Sequence, residues 1–125
     1  PAMARSLFEQ AEARIADVAA LPLTEQNASY RFEGAYESVR EALQAFMALE
    51  GFRPYSHEAV VSFAEVKELL SVKELDEFDR CREKRHDITY RGEKTSVEET
   101  KVTIVFAQRM VKALGKRFAE QHVKD

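Results

Sequence analysis

From Val97 onward the apolar residues return at steps of three and four: Ile104, Ala107, Val111, Leu114 and Phe118. On an α-helix these positions fall in a single line, and such a line is stable only when another surface covers it. The same rhythm runs through the rest of the chain. Leu7, Ala11, Ile15 and Val18 fall on one stripe of a first helix, over about Ala4 to Ala20. Phe32, Ala35, Tyr36, Val39, Leu43, Phe46 and Leu49 form another, on a second helix running to about Glu50. A third helix turns Ala59, Val60, Phe63, Val66 and Leu70 inward, and a fourth begins with Leu75 and Phe78.

The breaks between these stripes carry helix start and stop chemistry. Leu21-Pro22-Leu23 ends the first segment, and Thr24 is the expected N-cap of the second. Gly51, with Pro54 just beyond it, fits a helix stop. Ser56 is placed to cap the third helix. Ser71-Val72-Lys73-Glu74 and Ser96-Val97-Glu98-Glu99 both have the capping-box pattern. The fourth helix is expected to end near Tyr90-Arg91-Gly92, and the fifth near His122. With only four glycines and three prolines, and short connections, the pattern predicts an all-α, up-and-down bundle of four or five helices. In a chain of 125 residues this is one domain, read over residues 4–122. Pro1 and Ala2 ahead of Met3 read as an added leader, and residues 123–125 as a tail.

Charge narrows the classes of function. Nineteen basic and twenty-two acidic residues leave a formal net charge of −3, which argues against a general nucleic-acid coat. The distribution is uneven. Between Arg80 and Lys94 stand six basic residues (Arg80, Arg82, Lys84, Arg85, Arg91, Lys94) against three acids (Glu83, Asp87, Glu93). A locally positive strip therefore lies on an acidic body. The single cysteine, Cys81, allows no intrachain disulfide and no Cys-based zinc site, and a reducing cytoplasmic setting is expected. No apolar run approaches the roughly 20 residues that cross a bilayer, so no membrane partner is expected. No cofactor or metal site is expected either.

On the fourth helix the apolar seam continues from Leu75 and Phe78 to Cys81 or Arg82, then Arg85, then Ile88 or Thr89. Arg82 and Arg85 thus fall where apolar residues are expected, and His86 follows Arg82 by one turn. An arginine on an inward face needs a counter-charge, an aromatic lid or a polar groove. Two readings stand. In one, Arg82 and Arg85 pair with acids such as Glu33, Glu37, Glu83 or Glu99, or bridge two subunits. In the other they line a groove that takes phosphate bidentately, with His86 able to exchange protons near neutral pH.

Other residues read more plainly. His57, next to the Ser56 cap, reads as a capping or packing residue. His122 reads as part of a fraying terminus. Tyr30, Phe32 and Tyr36 read as core, with base stacking as the alternative. Cys81 reads as a small buried hydrophobe.

Tyr30-Arg31-Phe32-x-x-Ala35-Tyr36-x-x-x-Arg40-x-Ala42 leads to Met47-Ala48-Leu49-Glu50-Gly51-Phe52, then to Tyr55-Ser56-His57-Glu58-Ala59-Val60, then to Arg82-Glu83-Lys84-Arg85-His86-Asp87-Ile88-Thr89-Tyr90. In order and spacing this resembles HEPN domains, over nearly the whole chain. The resemblance implies a helical homodimer, often paired with a nucleotidyltransferase partner in toxin–antitoxin or defence modules. In many members it implies a metal-independent ribonuclease that acts on RNA through an arginine and a histidine. Carried onto this chain, it implies Arg80, Arg85 and His86 as catalytic residues and Arg82, Lys84 and Arg91 as binders of RNA phosphate. One alignment pairs Arg80 with His86. Another matches Arg85 and His86 to the family's arginine and following polar position, and puts Tyr90 where the histidine stands. Tyr90 is also the implied acceptor where such a partner modifies a tyrosine. The alternatives left open are a non-catalytic module that docks a nucleotidyltransferase or nucleotide, and a purely structural dimer.

Overall fold

The computed structural model describes residues 2–53 and 56–124, with side chains as far as Gln121. Pro1, Pro54, Tyr55, Asp125 and the His122 side chain lie outside the described residues. Among the described residues five helices follow in order: α1 (Ala2–Ala20), α2 (Ala28–Leu49), α3 (His57–Val66), α4 (Val72–Arg91) and α5 (Val97–Lys124). The bundle is all-α, as the periodicity requires. Helix α1 begins at Ala2, so Ala2 and Met3 are helical and the first helix starts two residues before the expected Ala4.

Helix α2 is the spine. It packs against all four other helices, while α1 and α5 touch each other on one flank and α3 and α4 touch each other on the other. Thirteen of its 22 residues are buried for that reason. The expected stripe Phe32, Ala35, Tyr36, Val39, Leu43 and Phe46 is buried throughout, and Leu49 is half-buried. On α5 the whole line from Ile104 to Phe118 is buried. The rings of Phe8, Phe46 and Phe118 meet where α1, α2 and α5 converge, with Phe8 stacked on Phe118 at 4.8 Å.

The start of α2 differs from expectation. Thr24 is not its N-cap. The Thr24 hydroxyl accepts from the Asn27 backbone N–H at 3.2 Å, and the Asn27 side chain accepts from the Thr24 backbone N–H at 2.9 Å. This reciprocal pair closes a turn ahead of the helix, and Asn27 becomes the cap residue. Arg31 then latches the connection. It is buried, and it donates to the carbonyls of Leu21 (2.5 Å) and Pro22 (3.1 Å).

At α3, Ser56 caps as expected, accepting from the Ala59 N–H at 3.2 Å. Val66, expected inward, is exposed, because α3 ends there and Glu68 takes a left-handed conformation two residues later. Leu69 and Leu70 then turn back into the core. Leu7 is half-buried, and its neighbour Phe8 takes the core position.

Helix α4 has the predicted capping box. Ser71 Oγ accepts from the Glu74 N–H at 3.1 Å, and Glu74 Oε1 accepts from the Ser71 N–H at 2.8 Å. It ends on Gly92 in the left-handed conformation, φ 66°. The α4–α5 connection is tied to the start of α2 by Thr95 N–H to Ser29 Oγ (2.9 Å) and Thr100 Oγ to the Ala28 carbonyl (3.2 Å). At the second predicted capping box, Ser96 Oγ accepts from the Glu99 N–H at 3.0 Å. Among the described residues no helix is long and apolar enough to cross a membrane.

Candidate functional site

Helix phase divides the basic strip of α4 into two faces. Arg80, Lys84 and Arg91 lie within about 40° of one another around the helix axis. Arg82, Arg85 and His86 fall on a different arc, with Arg85 and His86 each within about 60° of Arg82. Arg80 and His86 are about 120° apart, so one chain does not bring them side by side.

On the first face each cation has a nearby acid. Arg80 is hydrogen-bonded to Glu77, Lys84 reaches Glu99 of α5 at 3.8 Å, and Arg91 reaches Asp87 at 3.7 Å. These pairs are at least partly solvated and contribute little to stability individually.

The second face is built differently. The seam position of Arg85 turns its guanidinium toward α2. Its Nη2 lies 3.7 Å from Glu37 Oε1, and its Cζ lies 5.9 Å from the centre of the Tyr36 ring. Arg82 Nε lies 3.5 Å from Asp79 Oδ1, one turn back on the same helix. Both separations are ion-pair distances, too long for a good hydrogen bond. Accordingly Arg82 Nε, Arg85 Nε and Glu37 Oε1 are buried atoms with no hydrogen-bond partner among the described residues. Glu37 is also paired, through its other oxygen, with Arg40 at 2.9 Å. Of the acids expected to pair with Arg82 and Arg85, Glu37 meets Arg85, whereas Glu99 meets Lys84 on the other face. Arg82 faces Asp79, an acid outside that expectation.

His86 is exposed, and its ring lies 4.8 Å from that of Tyr90, which is itself exposed. No hydrogen bond or ion pair engages His86 among the described residues. The α4 edge therefore carries two half-satisfied guanidinium groups, an accessible imidazole and an accessible phenol.

Behind this edge stands a part-buried polar chain with no counterpart among the expected site residues. Tyr36 Oη of α2 is 2.7 Å from His57 Nδ1 at the start of α3. His57 Nε2 is 3.2 Å from Asp79 Oδ1 of α4. The His57 ring is stacked on Phe78 at 4.8 Å, and Phe78 on Tyr36 at 5.4 Å. Burial pushes the Tyr36 phenol up to about 12, so it keeps its O–H. A carboxylate only accepts, so Nε2 carries the hydrogen and donates to Asp79. Burial favours the neutral imidazole, whose Nδ1 then accepts from the Tyr36 O–H. The His57 pKa is lowered, first by burial and then by the Arg82 charge, against the opposing pull of Asp79.

Sequence reasoning placed His57 as a packing residue and Tyr36 in the core, and both descriptions hold. What it missed is that their polar ends meet. Asp79 carried the one readable signal, since it precedes Arg82 by three residues on a helix. Tyr30 departs from expectation. It is exposed, at the rim of a groove of about 640 Å³ between α1 and α2. Cys81 is buried, and burial pushes its thiol up to about 11, so it is a protonated core residue. Among the described residues no group of three His, Cys, Asp or Glu side chains is placed to hold a metal ion. No protein-family model matches the chain, and neither does any curated protein.

Proposed function

We propose that this protein is a HEPN-like module that binds RNA phosphate along the α4 edge and cleaves the strand there without a metal ion. The observation that carries this reading is the pair of arginines whose buried Nε groups lack hydrogen-bond partners, next to an accessible histidine. An arginine that meets a carboxylate only at ion-pair distance keeps unmet donors, and a phosphate fits its planar fork.

In this reading Arg82 and Arg85 hold the scissile phosphate and stabilise the charge that develops on its oxygens. His86 takes the proton from the attacking 2′-hydroxyl or returns one to the leaving 5′-oxygen. The 2′-oxygen forms its bond to phosphorus as the bond to the 5′-oxygen breaks, leaving a cyclic phosphate and a free hydroxyl. Arg80, Lys84 and Arg91, on the neighbouring face, extend the positive track for the rest of the strand. Two copies meeting along this edge bring two clusters to one cleft, which is the role of a homodimer in this proposal.

A second reading has its own observation. The Tyr90 ring lies against His86, and each arginine of the pair already faces a carboxylate. A module that docks a nucleotidyltransferase partner, with Tyr90 presented to it, needs no cleavage.

Incubation with transfer and messenger RNA, with and without chelator, separates the two. Under the first reading cleavage resists chelator and is lost in His86→Ala, with helical content unchanged. Intact RNA together with a stable partner complex supports the second. Undiminished cleavage by His86→Ala removes His86 from the mechanism.

A further inference from the structure

The part-buried chain from Tyr36 through His57 to Asp79 ends on the carboxylate that faces Arg82. Its members come from three helices: Tyr36 from α2, His57 from α3, Asp79 and Arg82 from α4. Burial decreases toward the edge. Tyr36 is 3% exposed, the His57 side chain 9%, and the Asp79 side chain 49%. A half-exposed carboxylate on a helix surface ordinarily samples several rotamers. This one is fixed from behind by an N–H whose own ring is stacked on Phe78 and hydrogen-bonded to a buried phenol.

We propose that Tyr36, His57 and Asp79 are positioning residues: the carboxylate fixed by His57 stands at ion-pair distance from Arg82 Nε and biases the guanidinium toward the α4 edge, where a phosphate meets its unsatisfied donors. The inference rests on the reading of the α4 edge as a phosphate site. Its physical content is preorganisation. A side chain already held in its binding rotamer loses less freedom when the anion arrives. Asp79 holds without saturating, because its Oδ1 also accepts from His57, and the Arg82 contact stays at 3.5 Å. The groups facing His57 are Tyr36 from α2, Asp79 and Arg82 from α4, and Glu58 on its own helix.

The proposal has a sign opposite to that of simple electrostatics. Removing an acid beside an RNA site ordinarily tightens binding, because one repulsive charge is gone. Here Asp79→Ala is expected to weaken binding of a single-stranded RNA oligonucleotide by up to about fivefold, the scale of one partly solvated ion pair. His57→Leu is expected to weaken it similarly, and His57→Gln, which retains a donor and an acceptor, to restore most of it. In an Arg82→Ala background neither change weakens binding further. The nitrogen–proton resonance of Arg82 Nε supplies a readout without RNA, distinct in the wild type and merged with the mobile arginines in Asp79→Ala. Tighter binding by Asp79→Ala, with Arg82→Ala still weak, overturns the positioning role and leaves the phosphate site standing. RNA affinity indifferent to Arg82→Ala overturns both. Circular dichroism checks folding, and the half-exposed Asp79 variant serves where a His57 variant does not fold.

Discussion

Gly34 of α2 faces Val18 of α1 so closely that a Cβ on Gly34 would lie 2.5 Å from Val18 Cγ2. The two helices meet here backbone to side chain, and only a residue without a side chain leaves room. Val18 is buried and β-branched, so its single preferred rotamer cannot easily turn away. Gly34→Ala gains ~1 kcal/mol in helix propensity but forces an overpacking strain of ~1–3 kcal/mol, so a net loss of stability is expected. Urea unfolding of Gly34→Ala, Val18→Ala and the double variant checks this. The double variant should be more stable than the two single effects sum to, and a raised midpoint in Gly34→Ala alone contradicts the contact.

Acid should weaken the fold through His57. Its folded pKa lies below the ordinary value of 6.5, so in that window the unfolded chain binds more protons than the native one. Stability contributed by the neutral, hydrogen-bonded imidazole is therefore present above 6.5 and lost as pH falls through the lowered folded value. Urea midpoints measured across this range should fall more steeply in the wild type than in His57→Gln. Parallel curves would show that His57 is not held neutral by its surroundings.

Removing the Ser71 hydroxyl should loosen the start of α4. Ser71→Ala leaves the Glu74 N–H without its partner at the capping box, and caps of this kind contribute ~1 kcal/mol. The expected result is a lower urea midpoint, with faster hydrogen exchange in the first turn of α4 and little change in α5. An unchanged midpoint would mean that solvent satisfies that turn equally well.

Much of the fold was legible because helices bury residues at a fixed spacing. The α5 line from Ile104 to Phe118 and the Ser71–Glu74 box could be read residue by residue. Thr24 misled because a threonine before a helix and a threonine closing a turn with Asn27 look alike until the backbone is placed. The site was legible only in part. Periodicity alone put Arg82 and Arg85 near the seam. Sequence spacing does not reveal that Tyr36 and His57, 21 positions apart, share a hydrogen bond, because three helices must first pack together. Nor does it show that Arg80 belongs to a different face from His86 unless the run is wound onto a helix.

The place of α2 as a common spine divides the molecule into unequal cooperative units. Helices α1 and α5 close on α2 and on each other, joined by the Phe8–Phe46–Phe118 cluster. The flank made of the ten-residue α3 and of α4 meets the rest mainly through α2. That flank has the smaller contact with α2, so it is expected to lie lower on the ladder of sub-global unfolding. The arginine-bearing edge thus lies on the flank expected to open first. Amide exchange is expected to follow that division, with α3 exchanging ahead of the buried middle of α2.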